Sequence, residues 1–338
     1  MKQFNNSITV SAPGKLMLFG EHAVVYGRPC IVIAVDQRIR AKVELLDTPV
    51  FQLDAPDVKV TNYKKPMADL GNGEIPKGAK FVEMAIKKFF NRHPERSRTI
   101  RHRAHGQGVK VTTASEFSSK FGFGSSSAAT VCTIYALTEL TGAKLDKKDI
   151  FDLSYKTVLN VQKKGSGFDV AAAIYGGTLY FVTGGKKIIS LPVNHLPIII
   201  GYSGIKFDTV RLINQVAEKA KKYPKLIDNI YSSIGKLVEQ ARQAILKSDY
   251  VYLGKLMNIN EGYLAALGVE GKKLADMIYA ARKAGAYGAK LSGAGMGDCM
   301  VAVTPKHKTQ AVKNGITSAG GEVIDVKTQA EGIRIEPD

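Results

Sequence analysis

The sequence contains no tryptophan and only three cysteines among its 338 residues. Cys30, Cys132 and Cys299 are far apart in the chain, so they offer neither a disulfide framework nor the C-x-x-C spacing of a zinc site. We expect all three to be buried, reduced thiols. Long apolar runs are lacking as well, because no stretch of about eighteen apolar residues is present to span a bilayer. These absences argue against a disulfide-stapled secreted domain and against a helical membrane protein.

The first ten residues, MKQFNNSITV, lack the basic segment and apolar segment of a secretory signal. We therefore expect a cytoplasmic protein with no membrane partner. Lys and Arg number 48 against 30 Asp and Glu, which gives a formal net charge of +18. Such a charge is typical of a nucleic-acid binder, a membrane-surface protein or an enzyme with anionic ligands, and equally of a plain basic surface.

A basic run from Asn91 to Gly108, NRHPERSRTIRHRAHGQG, is the strongest candidate for a nucleic-acid patch. No aromatic side chains alternate with its arginines and histidines, and no recognised nucleic-acid-binding module surrounds it. We interpret the run as an exposed helix end or loop, and we expect no nucleic-acid partner.

Strand-like and helix-like patterns together predict an α+β chain. The length favours two domains, 1–183 and 184–338, with a cleft between them. Strands are predicted at Ile8 to Val10, Leu16 to Phe19, Ile31 to Val35, Ala41 to Leu46, Val109 to Thr113, Thr178 to Val182, Ile198 to Tyr202, Cys299 to Val303 and Val323 to Val326. Helices are predicted at Lys80 to Phe90, Ser125 to Gly142, Lys148 to Val161, Thr209 to Lys221, Pro224 to Ser248 and Tyr250 to Leu267.

Two glycines and three serines stand directly before the second of these helices, in FGFGSSSAATVCTIYALTEL. Glycine lets backbone N–H groups approach a ligand closely, and the amino end of a helix attracts anions. The spacing matches neither the G-x-x-x-x-G-K-S/T loop nor the G-x-G-x-x-G turn of other nucleotide-binding proteins. The segment is a candidate phosphate cradle, and a plain serine helix cap is an equally good alternative.

Two further segments place charged residues in apolar surroundings. In SAPGKLMLFGEHAVVYGRP, the residues Lys15, Glu21 and His22 lie in or beside an apolar strand, where a charge needs a partner or a chemical role. A Lys15–Glu21 salt bridge is the structural alternative. In GSGFDVAAAIYGGTLYF, Asp169 lies between a Gly-Ser-Gly turn and an alanine-rich run. A carboxylate there fits a general base, and equally the N-cap of the helix that it opens.

Taken in chain order, SAPGKLMLFGEHAVVYG, FGFGSSSAA and GAKLSGAGMGDCMVAV resemble the three motifs of the GHMP kinases. This family is named for galactokinase, homoserine kinase, mevalonate kinase and phosphomevalonate kinase. GEHAVVYG, MNINEGYLAALGV and YAARKAGAYGAKLSGAG are most similar to the mevalonate kinases. The resemblance implies an amino-terminal domain like ribosomal protein S5, with a left-handed βαβ crossover, and a ferredoxin-like carboxy-terminal domain.

The resemblance also implies an activity, the transfer of the γ-phosphoryl group of ATP, with Mg²⁺, to a small hydroxy acid. Mevalonate is the expected acceptor. A phosphomevalonate kinase or another acid or sugar kinase of the family is the alternative, and a non-catalytic sensor is a remote one. The sensor is disfavoured because Lys15, Asp169 and the glycine-serine loop are all retained. A homodimer stays open beside a monomer.

The resemblance assigns roles to the residues of the three motifs. Asp169 would face the acceptor hydroxyl as a base or orienting carboxylate, and Lys15 would lower the pKa of that hydroxyl. The acceptor-binding residues would be Glu21, His22, Thr209 and Ser292. The residues around the ATP phosphates would be Lys120, Gly122, Gly124, Ser125, Ser126, Ser127, Gly293, Ala294 and Gly295, with Ser126 as a Mg²⁺ ligand.

Departures from the family pattern concern the metal and the acceptor. Mevalonate kinases usually have a Mg²⁺-binding Glu at the position of Val158, and their third motif is GAGGGGC rather than GAGMGDC. Asp298 is therefore one candidate replacement for the missing carboxylate, besides water or a weaker metal site. The second motif lacks the usual Pro and an early Gly. KKGSGFDVAAAIYG is closer to phosphomevalonate kinases, whose substrate phosphate Lys163 and Lys164 could meet.

Overall fold

The computed structural model describes residues 6–92, 108–193 and 195–337. Most of the predicted basic run, residues 93–107, lies outside the described residues. The strands are β1 (Ser7–Phe19), β2 (Pro29–Leu46), β3 (Val50–Ala55), β4 (Val60–Pro66), β5 (Gly108–Ser115), β6 (Thr178–Val182), β7 (Lys187–Leu191), β8 (Ile198–Tyr202), β9 (Gly288–Ser292), β10 (Cys299–Val303), β11 (Glu322–Ile324) and β12 (Arg334–Ile335). The helices are α1 (Lys80–Arg92), α2 (Ser125–Thr141), α3 (Lys147–Gln162), α4 (Phe168–Tyr175), α5 (Thr209–Lys222), α6 (Pro224–Leu246), α7 (Tyr250–Leu267), α8 (Lys272–Lys283) and α9 (Thr309–Ser318).

An eight-stranded sheet organises the amino-terminal half, in the order β12-β1-β2-β5-β3-β4, with β6 and β7 continuing from β2. The 18 residues of β2 pair with β1 along one edge and with both β5 and β6 along the other. β3 and β5 run parallel, and the chain between them passes through β4 and α1. Helices α2 and α4 pack against β1 and β2. The first two motifs therefore lie on one apolar layer between this sheet and its helices.

A smaller sheet of β11-β8-β10-β9 organises the carboxy-terminal half, with all neighbours antiparallel. Numbered by their order in the chain, these strands read 4-1-3-2, and helices follow the first and third of them. This is the ferredoxin-like arrangement that the motifs predict. Gly288 of β9 lies so close to Gly254 of α7 that a Cβ on Gly288 would collide with the Gly254 carbonyl. Because neither glycine has a side chain, β9 can pack directly against α7.

The six helices predicted from the sequence are confirmed to within two residues at each end. The prediction of four separate strands at the amino end is wrong, because the structure has two long strands there, β1 and β2. Pro13 and Gly14 form a bulge within β1 instead of a turn, so the strand continues through them. Several elements without a strong pattern were not predicted at all, among them β3, β4, β9, α8 and α9.

The domain division at residues 183 and 184 stays a prediction. β7 and the terminal β12 both pair within the large sheet, so the chain returns to its amino-terminal half at the end. All three cysteines are free and buried, as expected from their spacing. Among the described residues, no helix is both long enough and apolar enough to cross a bilayer.

Candidate active site

A cavity of about 650 Å³ lies where the three motifs meet, between the two halves of the chain. Residues of the first strand, of the glycine-serine loop and of the third motif all line it. The predicted site residues on its wall are Lys15, Glu21, His22, Lys120, Gly122, Gly124, Ser125, Ser126, Ser127, Asp169, Thr209, Gly293 and Ala294. Ser292 and Gly295 are not on this wall. The motifs, far apart in sequence, thus form one site.

Asp169 lies in the first turn of α4, on the cavity wall. The N-cap of this helix is Gly167, with φ 92°, so the alternative that Asp169 is the N-cap is wrong. Its Oδ2 accepts a hydrogen bond from the Ser127 hydroxyl, and its Oδ1 accepts one from the Val170 N–H at 3.1 Å. These bonds fix the direction of the carboxylate, as a positioned base requires.

Lys15 lies beside Asp169, and its Nζ donates to the Gly122 carbonyl at 2.7 Å. The Nζ also lies 5.2 Å from the centre of the Phe168 ring. Burial lowers the pKa of Lys15, while the carboxylates of Asp169 and Asp298 oppose that shift. The alternative of a Lys15–Glu21 salt bridge is wrong, because the Glu21 carboxylate pairs with another lysine.

The glycine-serine loop leads directly into the amino end of α2, which opens on the cavity. Its N-cap is Gly124, with φ 82° and no side-chain cap, so the alternative of a serine cap is wrong. A Cβ on Gly124 would lie 3.1 Å from Lys15 Cε, and one on Gly122 would lie 2.7 Å from Asp298 Oδ2. Glycine is required at both positions by positive φ and by close neighbours. With Ser126 on the wall, the loop has the form of a phosphate cradle.

Asp298, where the family has glycine, is 7% exposed and lies on the cavity wall. Both Met296 and Asp298 have φ 59°, a costly conformation for residues with a Cβ. Asp298 Oδ1 lies 3.1 Å from Lys206 Nζ, and this lysine also lines the cavity. No motif or periodic pattern pointed to Lys206, which lies in a loop before α5. The third motif therefore brings one anion to the cradle, and the loop before α5 brings one cation.

Glu21 and His22 form the turn after β1. Glu21 is 1% exposed, and its carboxylate pairs with the Lys290 ammonium. His22 has φ 58°, and its Nε2 donates to the Ala294 carbonyl at 2.7 Å. Burial lowers the pKa of His22, which favours the neutral ring. Both residues line the cavity, and both are held in place by contacts with residues of the carboxy-terminal half.

The other predicted acceptor residues have different surroundings. Ser292 bridges β9 to β1, because its hydroxyl donates to the Met17 carbonyl at 2.9 Å and accepts from the Met17 N–H at 3.2 Å. Thr209 begins α5 and is exposed on the cavity wall, and Lys120, which was predicted to bind the ATP phosphates, is exposed on the wall as well. The binding roles of these three residues stay predictions.

A group of apolar residues on the cavity wall is marked by no motif. The group consists of Ile39, Ala55, Val58, Phe81 and Val82, which come from β2, β3, α1 and the turn after β3. Such a surface suits the flat ring of a nucleotide base. Sequence reasoning missed it because single apolar residues in separate elements carry no recognisable pattern.

The position of the expected Mg²⁺-binding Glu also lies on the wall. It is occupied by Val158, which is buried in α3. In the described part of the chain, no group of three or more His, Cys, Asp and Glu could hold a metal. Mg²⁺ commonly uses one or two protein ligands together with substrate phosphates and water, so a nucleotide-bound Mg²⁺ does not need such a group.

Comparison with known proteins identifies the family. The model of the GHMP kinases N terminal domain matches residues 81–177, and that of the GHMP kinases C terminal domain matches residues 241–322. Mevalonate kinases of Thermococcus sibiricus and Pyrococcus abyssi are each 37% identical over 97% of this chain and 98% of their own. The two-domain GHMP kinase fold is confirmed by the mevalonate kinase of Methanococcus jannaschii, with a TM-score of 0.78 at 24% identity over 95% of this chain and 98% of that one.

A Streptococcus pneumoniae phosphomevalonate kinase has nearly the same fold similarity, with a TM-score of 0.76 at 17% identity over 95% of this chain and 99% of that one. The fold alone therefore does not identify the acceptor. The relatives found by sequence do identify the family of this chain. Their similarity extends over 97% of the chain at 37% identity. The chain belongs to the GHMP kinase family.

Proposed function

We propose that this chain transfers the γ-phosphoryl group of ATP to the hydroxyl of mevalonate, giving 5-phosphomevalonate. Family membership makes it an ATP-dependent kinase that acts on an alcohol. The choice of mevalonate is supported by relatives that are mevalonate kinases over nearly the full length. The observation that carries the chemistry is the Lys15–Asp169 pair beside the cradle at Gly122. A cytoplasmic location and a homodimer stay predictions.

The site supports this reaction through positioning and charge. In phosphoryl transfer the protein must align two anionic partners, and side chains have little covalent work. Asp169, fixed by Ser127, would accept or orient the proton of the acceptor hydroxyl. Lys15 would stabilise the negative charge that develops between donor and acceptor oxygens. The amino end of α2 would bind the ATP phosphates, and the apolar group that includes Ile39 and Phe81 would contact the adenine.

Magnesium is part of the proposal, and the cradle fits a nucleotide-bound ion. Ser126 and Asp298 both line the cavity, and the Asp298 carboxylate is held there by its ion pair with Lys206. Hydroxyl and carboxylate oxygens are ligands that suit Mg²⁺. Ser126 would thus hold the ion, with Asp298 in place of the carboxylate missing at Val158. When bound, Mg²⁺ would neutralise charge on the ATP phosphates.

Ser126→Ala is expected to raise the Mg²⁺ concentration for half-maximal rate by roughly tenfold, because one oxygen ligand contributes about 1–2 kcal/mol. The acceptor KM should stay within about twofold. The measurement is a Mg²⁺ titration at fixed ATP and acceptor. Ser118→Ala is the control, since Ser118 caps a short turn and is not on the cavity wall. An unchanged Mg²⁺ requirement with a raised acceptor KM would assign Ser126 to the acceptor instead.

Phosphomevalonate is the second candidate acceptor, and Lys164 is the observation in its favour. Lys164 lines the cavity, and its Nζ donates to Asn214 Oδ1 of α5 at 2.7 Å. Lys163 is not on the cavity wall and instead ends α3 with φ 65°. One of the two lysines could therefore meet a substrate phosphate.

A coupled ADP-release assay with mevalonate, phosphomevalonate, galactose and homoserine tests the proposed function, and mevalonate should give the highest kcat/KM. If mevalonate is the acceptor, Lys164→Ala should leave the acceptor KM within about threefold, because the contacts of an exposed lysine side chain contribute little free energy. Lys163→Ala is the matched control. If phosphomevalonate is the acceptor, Lys164→Ala should raise its KM by roughly tenfold or more, and less so at high salt. That outcome would replace mevalonate in the proposal.

A further inference from the structure

Lys290 is a fully buried cation in the middle of β9, with 0% of its surface exposed. Its Nζ donates to Glu21 Oε1 and to the Leu291 carbonyl. Removing an ammonium group from water costs several kcal/mol, so a buried lysine persists only with a close countercharge. The lysine and its partner lie 269 positions apart in the chain, on opposite sides of the cleft.

Glu21 is the main countercharge of this lysine. A second carboxylate, that of Glu261 in α7, lies nearby and accepts the Leu291 N–H at 2.9 Å. Burial raises the pKa of Glu261 to about 7, although the charge of Lys290 opposes the shift. The Glu21 carboxylate is further held by Asn260 Nδ2 at 3.3 Å.

The turn that Glu21 begins is strained. His22 has φ 58° and ψ −50°, and the Ala23 N–H donates to the Glu21 carbonyl at 2.6 Å across it. These values describe a γ-turn with positive φ at its centre, which is rare and costly for a residue with a side chain. Gly20 before it has φ 100°, and a Cβ there would lie 2.5 Å from Cys30 Cβ. Such a turn needs outside contacts to keep its shape.

β9 and the loop after it supply those contacts at every second residue. Lys290 binds Glu21, the Ser292 hydroxyl bonds with the backbone of Met17, and the Ala294 carbonyl accepts from His22. Alternate residues of a strand share one face, so the side chains of Lys290 and Ser292 in β9 both point to the first motif, and the Ala294 carbonyl follows in the loop after the strand. The wall of the cavity at Glu21 and His22 is thus shaped by the carboxy-terminal half.

We propose that Lys290 is a positioning residue for the acceptor, which holds the strained Glu21–His22 turn in its binding shape through the Glu21 carboxylate. The inference rests on the proposed function, because it takes this turn as part of the acceptor site. Lys290 itself is not on the cavity wall. It acts only through Glu21, so its removal should change acceptor binding and leave ATP binding intact.

Lys290→Met is expected to raise the acceptor KM by roughly tenfold or more, with the ATP KM within about twofold. A calorimetric titration of the acceptor should show the same fold-change in Kd. The matched control is Lys65→Met, because Lys65 forms a comparable pair with the fully buried Glu83 at 2.9 Å and is not on the cavity wall. Both substitutions should lower the unfolding temperature, because each leaves a buried carboxylate without its cation. Only the control should have unchanged KM values.

Glu21→Gln and the double variant Glu21→Gln with Lys290→Met complete the test. The double variant removes both charges of the Glu21–Lys290 pair, so it should fold even if Lys290→Met alone does not. If Lys290 acts through Glu21, the double variant should be no worse in acceptor KM than Glu21→Gln alone. The proposal would be overturned if the effects of the two substitutions on the acceptor KM multiplied in the double variant. It would also be overturned by an unchanged acceptor KM in Lys290→Met. Wild-type protein that fails with mevalonate but turns over another acceptor would contradict only the proposed function, since the same series can be run with that acceptor.

Discussion

Asp169→Asn is expected to lower kcat by about 100-fold or more, while the protein folds normally and binds ATP with nearly wild-type affinity. Asparagine keeps the size of the side chain and can still contact Ser127, but it has no carboxylate to accept or attract the hydroxyl proton. A 100-fold loss corresponds to about 2.7 kcal/mol of transition-state stabilisation. The measurements are steady-state kinetics with the acceptor and a direct titration of ATP.

Asp149→Asn is the matched control for this variant. Asp149 also lies in the first turn of a helix, α3, where it pairs with Arg92 at 2.7 Å on the surface. Both substitutions remove a negative charge from the amino end of a helix, a change worth about 0.3–1 kcal/mol of stability. Only the loss at Asp169 should appear in kcat. An Asp169→Asn protein with more than half the wild-type turnover would show that Asp169 serves α4 alone.

The local chemistry of the motifs could be predicted from the sequence. A phosphate cradle is predicted by Gly122, Gly124 and the helix that starts at Ser125. This prediction is possible because the conformation of a glycine turn and the start of a helix depend mainly on residues that are close in sequence. The same holds for Asp169 after its Gly-Ser-Gly turn. In these segments the sequence left only the choice between a cap and a site, and the N-caps at Gly124 and Gly167 exclude the serine and aspartate caps.

The partners of the charged residues could not be predicted in the same way. Glu21 and Lys15 are close in sequence, yet each has its contact elsewhere, at Lys290 and at the Gly122 carbonyl. Lys206 reaches Asp298 from a loop without any motif. Such pairings depend on how the two sheets pack, and periodicity within a single strand or helix carries no information about that packing. The strained His22 turn was missed for the same reason.

Lys15→Met is expected to lower kcat by about 100-fold to 1,000-fold, the usual loss when a preorganised electrostatic group is removed. Methionine has a similar length and no charge, so it can fill the space beside Gly124 without a new clash. The change removes the cation next to Asp169 and the hydrogen bond that its Nζ donates to the Gly122 carbonyl. Lys120→Met makes the same chemical change at an exposed lysine of the cavity wall and should cost less than about tenfold in kcat.

The pH profile distinguishes an electrostatic role of Lys15 from a structural one. Burial lowers the pKa of Lys15 below the ordinary lysine value of 10.5. If its positive charge is required, kcat/KM should fall as the pH rises through this lowered pKa and the ammonium loses its proton. Lys15→Arg should retain part of the activity and lose this alkaline decline, because a guanidinium stays protonated throughout. An alkaline decline that persists in Lys15→Arg would come from another group, and a kcat of Lys15→Met within about tenfold of the wild-type value would remove Lys15 from the mechanism.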